Sequence, residues 1–454
     1  RSFGGDPKNV AEKVIAYSKG LEDGGVLSVI KHFPGHGDTN VDSHKALPIL
    51  NFTRERLDSI ELYPFRKAVS FGLGGVMVGH LEVPKLSAKP ASLSTDIIGL
   101  LKNELGFKGL VFTDALEMKG ISNNLDVCAR ALMAGNDMLL APRNLKRELD
   151  GVLNAVKKGT LTEEMITEKC RKVLVFKYAL GLYQKQFIQL SGLEHRLNRP
   201  EAKELKERLQ KAAVTVASNA TGILPLEMNL KGTAVLNIGK PSEGLEFYKH
   251  LNRFLSVDRI QASPDSLVTL RKRLAKYERV IVAIHTEKYD AYKSLLNTLS
   301  DQKPLVYVYL TPLRRMHNKG AEWKKASAVV LGHSNDKAVQ LFVADALVGK
   351  ETPEGRISVE VEGFLKPGGG VTLGKESAKV YRPQDYGMDS NILNKIDDIV
   401  LEGIKAKAYP GCQVLILKDG APIYDKCFGS FTYESKQKVM PDNLYDIASL
   451  TKTT

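Results

Sequence analysis

Residues 1–183 alternate between two hydrophobic patterns. Short apolar runs of strand length lie at 26–31, 75–79, 109–113 and 137–141. Between them, apolar residues recur at helical spacing over 52–70, 94–105 and 124–134. Two more helical segments, 145–158 and 162–180, close the region. Strands alternating with helices predict a parallel sheet. Each strand ends in chemically capable residues: Lys31 with His32, then His80, Asp114, and Pro142 with its neighbours. Such groups at C-terminal strand ends are what a (β/α)8 barrel presents, but a full barrel has eight strands and about 250 residues. The pattern predicts an α/β fold: the C-terminal half of a TIM barrel.

Residues 184–204 read as a connector. A second α/β region, an open sandwich, is expected over 205–365, with strands at 233–238, 279–284, 305–310 and 328–331. Residues 366–385 read as a linker, flexible around Gly368-Gly369-Gly370. A third region, 386–454, begins with a helix at 391–406. Two strands follow at 412–418 and 421–429, joined by Asp419-Gly420, a strong hairpin signal.

Charge narrows the picture little. Lys and Arg total 65 against 52 Asp and Glu, a net charge of +13. The bases are mixed with acids on helical stretches such as 199–211 and 271–279, the pattern of solvated faces. Neither an RNA-binding aromatic signature nor a helix-turn-helix pattern is present, so no nucleic-acid partner is expected. No apolar run reaches the roughly 18 residues of a membrane span. Four cysteines without a C-x-x-C pair point to neither a disulfide scaffold nor a zinc ribbon. Cys128 and Cys170 sit in apolar helical contexts and are expected to be buried. A two-residue turn pairs Lys418 with Ala421, and the same register brings Cys412 opposite Cys427, about 5.5 Å apart at Cα. Close approach is expected, and a bridge, if formed, would favour the periplasm over the cytoplasm.

The densest chemistry lies between Lys31 and His44. Within fourteen residues stand His32, His36, His44, Asp38, Asp42 and Lys31. Pro34 ends the strand, and Gly35 and Gly37 free the loop that follows. Zinc is a rival use of such residues, but Lys31 would sit among the ligands and no other strand end offers a matching set. Asp114 follows an apolar strand, where a barrel keeps its active site. Its alternative role is a helix N-cap, with Glu117 completing a capping box.

Together Arg1-Ser2-Phe3-Gly4, the loop from Lys31 to His44, and Thr113-Asp114-Ala115-Leu116 resemble the bacterial glycoside hydrolase family 3 β-N-acetylglucosaminidases. The resemblance is strong over 1–183 and weaker to about 365. Gly5 departs from it, standing where the family usually has an acidic residue. The resemblance implies a retaining glycosidase acting on N-acetylglucosaminides, with muropeptides of cell-wall recycling as the expected source; no motif implies a cofactor or a metal. Asp114 would be the nucleophile, His44 the acid/base and Asp42 its orienting carboxylate. Arg1, Lys31 and His32 would bind sugar hydroxyls. The division suits a mechanism that needs one anion and one proton donor that later acts as base. Histidine, with a reference pKa of about 6.5, can fill the second role. It would not repel an anionic acceptor, so transfer of the sugar to phosphate is the alternative. His36 and His80 are expected to line the pocket.

Ser449-Leu450-Thr451-Lys452 places a serine and a lysine on one helix face, as nucleophile and base. With the preceding helix and hairpin, this resembles the start of a class C β-lactamase or penicillin-binding-type serine hydrolase, which could carry the parent protein's main activity. The resemblances imply a chain cut at both ends, one that could also do no more than bind sugar.

Overall fold

The computed structural model describes residues 3–39, 41, 46–119, 121, 126–184, 187–226, 232–312, 316–373, 383–419, 421–440 and 443–446. Arg1, Asp42, His44, Ser449 and Lys452 lie outside these residues. The chain divides into two compact units, residues 1–197 and 198–454.

In the first unit, β1 (Val29–Phe33), β2 (Gly75–Val78), β3 (Leu110–Ala115) and β4 (Met138–Leu140) form one parallel sheet in chain order. The first strand starts later than its apolar pattern suggests. Val26 is exposed, whereas Phe33 is fully buried against Phe65, with ring centroids 5.2 Å apart. Thr53 caps the next helical stretch by accepting from the Arg56 amide. That stretch runs through Arg54–Arg56, a π-helical turn at Leu57–Glu61, and Leu62–Ser70. Its Leu57, Leu62 and Phe65 pack with Ile30, Val76 and Val78 in one core. Each such side chain contributes about 1.5–3 kcal/mol on burial.

Another row stays open. Lys31, Met77, Phe112 and Met138 are in register across all four strands. Lys31 is exposed and the other three are half-buried. In a closed barrel such a row is an interior layer. At the opposite, N-terminal end of the strands, Asp137 is buried among lysines. It bonds to Lys172 at 2.8 Å and Lys102 at 3.3 Å, and accepts from the Val111 amide at 2.9 Å. Cys128 is buried as expected, but Cys170 is exposed. It lies on the outward side of Glu163–Ala179, a helix with no buried residue.

The second unit holds a six-stranded sheet in the order β5-β10-β9-β8-β6-β7. The strands are β5 (Thr215–Ser218), β6 (Thr233–Ile238), β7 (Val257–Gln261), β8 (Arg279–Ile284), β9 (Leu305–Tyr309) and β10 (Ala328–Leu331). Only β5 is antiparallel to its neighbour. The central strands are buried on both faces, between two apolar clusters, which explains their unbroken Val/Ile/Leu runs.

The glycine run does not behave as a flexible linker where it is described. Ile357 and Gly369 are hydrogen-bonded, the Gly368 amide donates to Ile357, and the Val371 amide donates to Val216. Leu373 is buried in the sheet's core. Backbone pairing plus one anchored side chain docks the segment as far as residue 373.

Residues 383–446 pack the helix Lys395–Lys405 against a hairpin of β11 (Gly411–Lys418) and β12 (Ala421–Gly429). Tyr424 donates to Asp397 at 2.5 Å, and Lys426 reaches the same carboxylate at 2.7 Å. The expected register holds only beside the turn. Leu417 pairs with Pro422, but Ile416 pairs with Tyr424, so Ile423 is an extra residue. Cys412 therefore lies opposite Phe428 and Cys427 opposite Gln413, and neither is in a disulfide, although Cys427 is near enough to add to the burial that raises the Cys412 thiol. The register gives no ground for a bridge, nor for the oxidising compartment a bridge would imply.

Candidate active site

Strand β3 carries Asp114 to the C-terminal end of the first sheet. Asp114 is part of the strand, and the next helix begins only at Val127. It is thus not a helix N-cap, and Glu117 is simply exposed. One carboxylate oxygen accepts from the Ala115 amide at 2.8 Å. The other lies 3.6 Å from His32 Nε2, with side-chain exposures of 13% and 19%. The pair is enclosed enough to strengthen electrostatics and open enough to meet a ligand.

The loop after β1 folds back beside this pair. His36 sets its ring edge-on to His32, with centroids 5.6 Å apart, and its Nδ1 lies 3.0 Å from Thr39 Oγ1. Lys31 opens onto the exposed row described above. His32 and Asp114 are brought together, and Lys31 flanks them on β1. The other assigned residues, Arg1, Asp42 and His44, fall outside the described part.

His80 differs from expectation. Rather than lining a pocket it is fully buried. Its Nε2 lies 3.0 Å from the Ala115 carbonyl and its Nδ1 2.7 Å from Ser92 Oγ. A carbonyl only accepts, so Nε2 carries the proton and Nδ1 accepts from the serine. Burial pushes this imidazole below the ordinary histidine value, against the pull of the Ala115 carbonyl and the Asp114 charge. A neutral His80 therefore braces the chain one residue beyond Asp114. Ser92 in turn is tied through its carbonyl to Asn136 Nδ2 at 2.8 Å. No local sequence signal announces this Ser92–His80–Ala115 brace. Among the described residues no three His, Cys, Asp or Glu side chains are grouped to hold a metal ion.

Comparison with known proteins gives this geometry a context. Residues 1–176 match the glycosyl hydrolase family 3 N-terminal domain. The chain is 32% identical over 255 residues to β-hexosaminidase A of Pseudoalteromonas piscicida, covering 50% of this chain and 42% of that protein. It is 40% identical over 148 residues to a β-hexosaminidase of Nitrosospira multiformis, covering 32% of this chain and 42% of that one. It thus spans less than half the length of these curated relatives. Among solved structures, a glycoside hydrolase family 3 β-N-acetylglucosaminidase from Paenibacillus sp. str. FPU-7 superposes with a TM-score of 0.63 at 26% identity. That likeness covers 79% of this chain and 72% of the other. The family 3 match ends within the helix Glu163–Ala179, so it covers the whole four-stranded sheet and Asp114. No helix among the described residues is long and apolar enough to cross a membrane.

Proposed function

We propose that the chain belongs to a retaining β-N-acetylhexosaminidase that releases terminal β-linked N-acetylglucosamine. The observation that carries this is Asp114, a half-enclosed carboxylate at the C-terminal end of a parallel strand, beside His32 in a family 3 domain. Asp114 attacks the anomeric carbon, and the leaving oxygen takes a proton from His44. His44 then deprotonates the water that hydrolyses the glycosyl-enzyme. Asp42, two residues away, fixes the His44 tautomer. Arg1, Lys31 and His32 hold sugar hydroxyls. The β-hexosaminidase names of the relatives support the substrate class. Muropeptides are the natural substrate on this reading.

Asp114→Asn decides it, assayed with an aryl N-acetylglucosaminide. Turnover should fall by about a thousandfold, the scale on which losing a catalytic group is felt. Retained hydrolysis would sink the assignment. Product formed with phosphate present separates hydrolysis, which yields free sugar, from phosphorolysis, which yields the sugar 1-phosphate. We further propose that 386–454 belong to a β-lactamase-like serine hydrolase domain with Ser449 as nucleophile and Lys452 as base. The helix Lys395–Lys405 leading into the β11–β12 hairpin supports that reading.

A further inference from the structure

A buried carboxylate lies under the histidine-bearing loop and takes no part in the chemistry proposed above. Glu61 ends the π-helical turn, and its side chain is 5% exposed. It lies directly beneath Gly35. A Cβ at position 35 would stand 2.6 Å from Glu61 Cβ and 2.8 Å from its Cγ, and Gly35 has φ of +139°. Only glycine fits there. Arg56, one turn earlier, has its guanidinium over the Phe52 ring, 4.7 Å from the centroid. Its Nη2 donates to Glu61 at 3.0 Å and to Asp38 at 3.1 Å. Asp38 is on the loop itself, four residues before Asp42.

This contact is poorly built for stability alone. Arg56 Nε and Glu61 Oε2 are both enclosed without a hydrogen bond among the described residues, and such orphans cost free energy. A buried ion pair is weak evidence of stabilisation, since apolar replacements often do as well. What the pair does achieve is geometric. Glu61 holds the guanidinium from below, Phe52 fixes its plane, and the remaining reach of Nη2 captures Asp38. The π turn supplies the extra residue that brings position 61 under the loop, and such turns are common at functional sites.

We propose that Arg56 is a positioning residue for the acid/base: seated on Glu61, it pins Asp38 and so sets where the chain leaves for Asp42 and His44. This rests on the proposed roles of those two residues. Arg56 touches no substrate.

The test uses two readouts on the full chain. Asp38→Asn removes an exposed carboxylate (65% exposed) and should leave the fold intact. Arg56→Gln removes the bridge, and Arg56→Lys keeps the charge without the two-way fork. Amide hydrogen exchange across 35–41 should quicken at least tenfold in Asp38→Asn and Arg56→Gln, with β3 unchanged. On the aryl glycoside, kcat should fall about tenfold with KM within twofold. Arg56→Lys should recover only part of each loss, and the Asp38→Asn/Arg56→Gln double variant should be no worse than Arg56→Gln. Unchanged exchange, or additive losses in the double variant, overturns the latch. Exchange needs no turnover, so it decides even if the wild type fails to cleave the glycoside, which would overturn the proposed activity instead.

Discussion

His32 reaches across β2 to stand 3.6 Å from Asp114. The two residues belong to β1 and β3, which are not neighbours in the sheet. The passage between them is kept clear by Gly79, just after β2, where a Cβ would press to 3.0 Å from His32 Cβ. A separation of 3.6 Å is too long for a hydrogen bond but within ion-pair range whenever the imidazole is protonated. Three successive strand ends thus shape one spot, the first giving an imidazole, the second space, the third a carboxylate.

Removing the imidazole should therefore weaken catalysis without unfolding the sheet. On the proposed reading His32 bonds a sugar hydroxyl, and leaving such a partner unsatisfied costs about 1–3 kcal/mol, which converts to a loss of about 5- to 150-fold in kcat/KM for His32→Ala. Steady-state kinetics on the aryl glycoside measure it. Gly79→Ala should give a smaller loss in the same direction, by displacing His32. A kcat/KM within twofold of wild type for His32→Ala would remove this residue from the site.

Legibility in the sequence followed burial. The bounds of β6, β8 and β10 agree with their apolar runs because each strand is covered on both faces. β7 is not legible in the sequence, since Val257-Asp258-Arg259-Ile260-Gln261 reads as polar. Its Asp258 accepts from the Tyr277 hydroxyl, and its Arg259 Nη2 donates to the Pro241 and Glu243 carbonyls. β5 is not separable in the sequence from the helix that ends at Ala213, with one residue between them. In the hairpin, Asp419-Gly420 announced the turn, but nothing local announces the extra residue at Ile423. Asp114 was visible as an acid ending an apolar strand. The brace on His80 and the latch on Asp38 were not, because Ser92, Glu61 and Arg56 join them only through the fold.

Asp137 offers a test of stability rather than chemistry. Its side chain is 3% exposed and faces Lys102, Lys169 and Lys172. Burial, with the neighbouring Lys102 charge, draws Lys169 down to about 8. Asp137→Asn leaves these cations without their shared counter-charge. Breaking a buried pair in this way costs about 3–5 kcal/mol. Thermal melting of the first unit, followed by far-UV circular dichroism, should show that loss. A change under about 1 kcal/mol would mean the lysines are solvated and the carboxylate is not their anchor.

His285 predicts how the second unit responds to acid. It follows β8, and its Nδ1 lies 3.0 Å from Asn335 Oδ1. Its Nε2 is enclosed without a hydrogen bond among the described residues. Gly244, at φ of +71°, closes over that nitrogen, and a Cβ there would collide with it. Burial pushes this imidazole below its ordinary value of 6.5, more than the Asn335 contact and the Glu243 charge restore, while Arg259 pushes the same way as burial. The unfolded chain therefore takes up its proton first on acidification. Stability from this group is intact above about pH 6.5 and is lost as pH falls below it. Trp323, the single tryptophan of the chain, is fully buried in this unit and reports its unfolding by fluorescence. Denaturant midpoints at pH 7.5 and 5.0 should differ less in His285→Asn than in the wild type. His333, whose imidazole burial also lowers, leaves a residual slope in both proteins. Equal slopes in the two proteins would show that His285 is protonated at no cost, and that its enclosed nitrogen reaches water in solution.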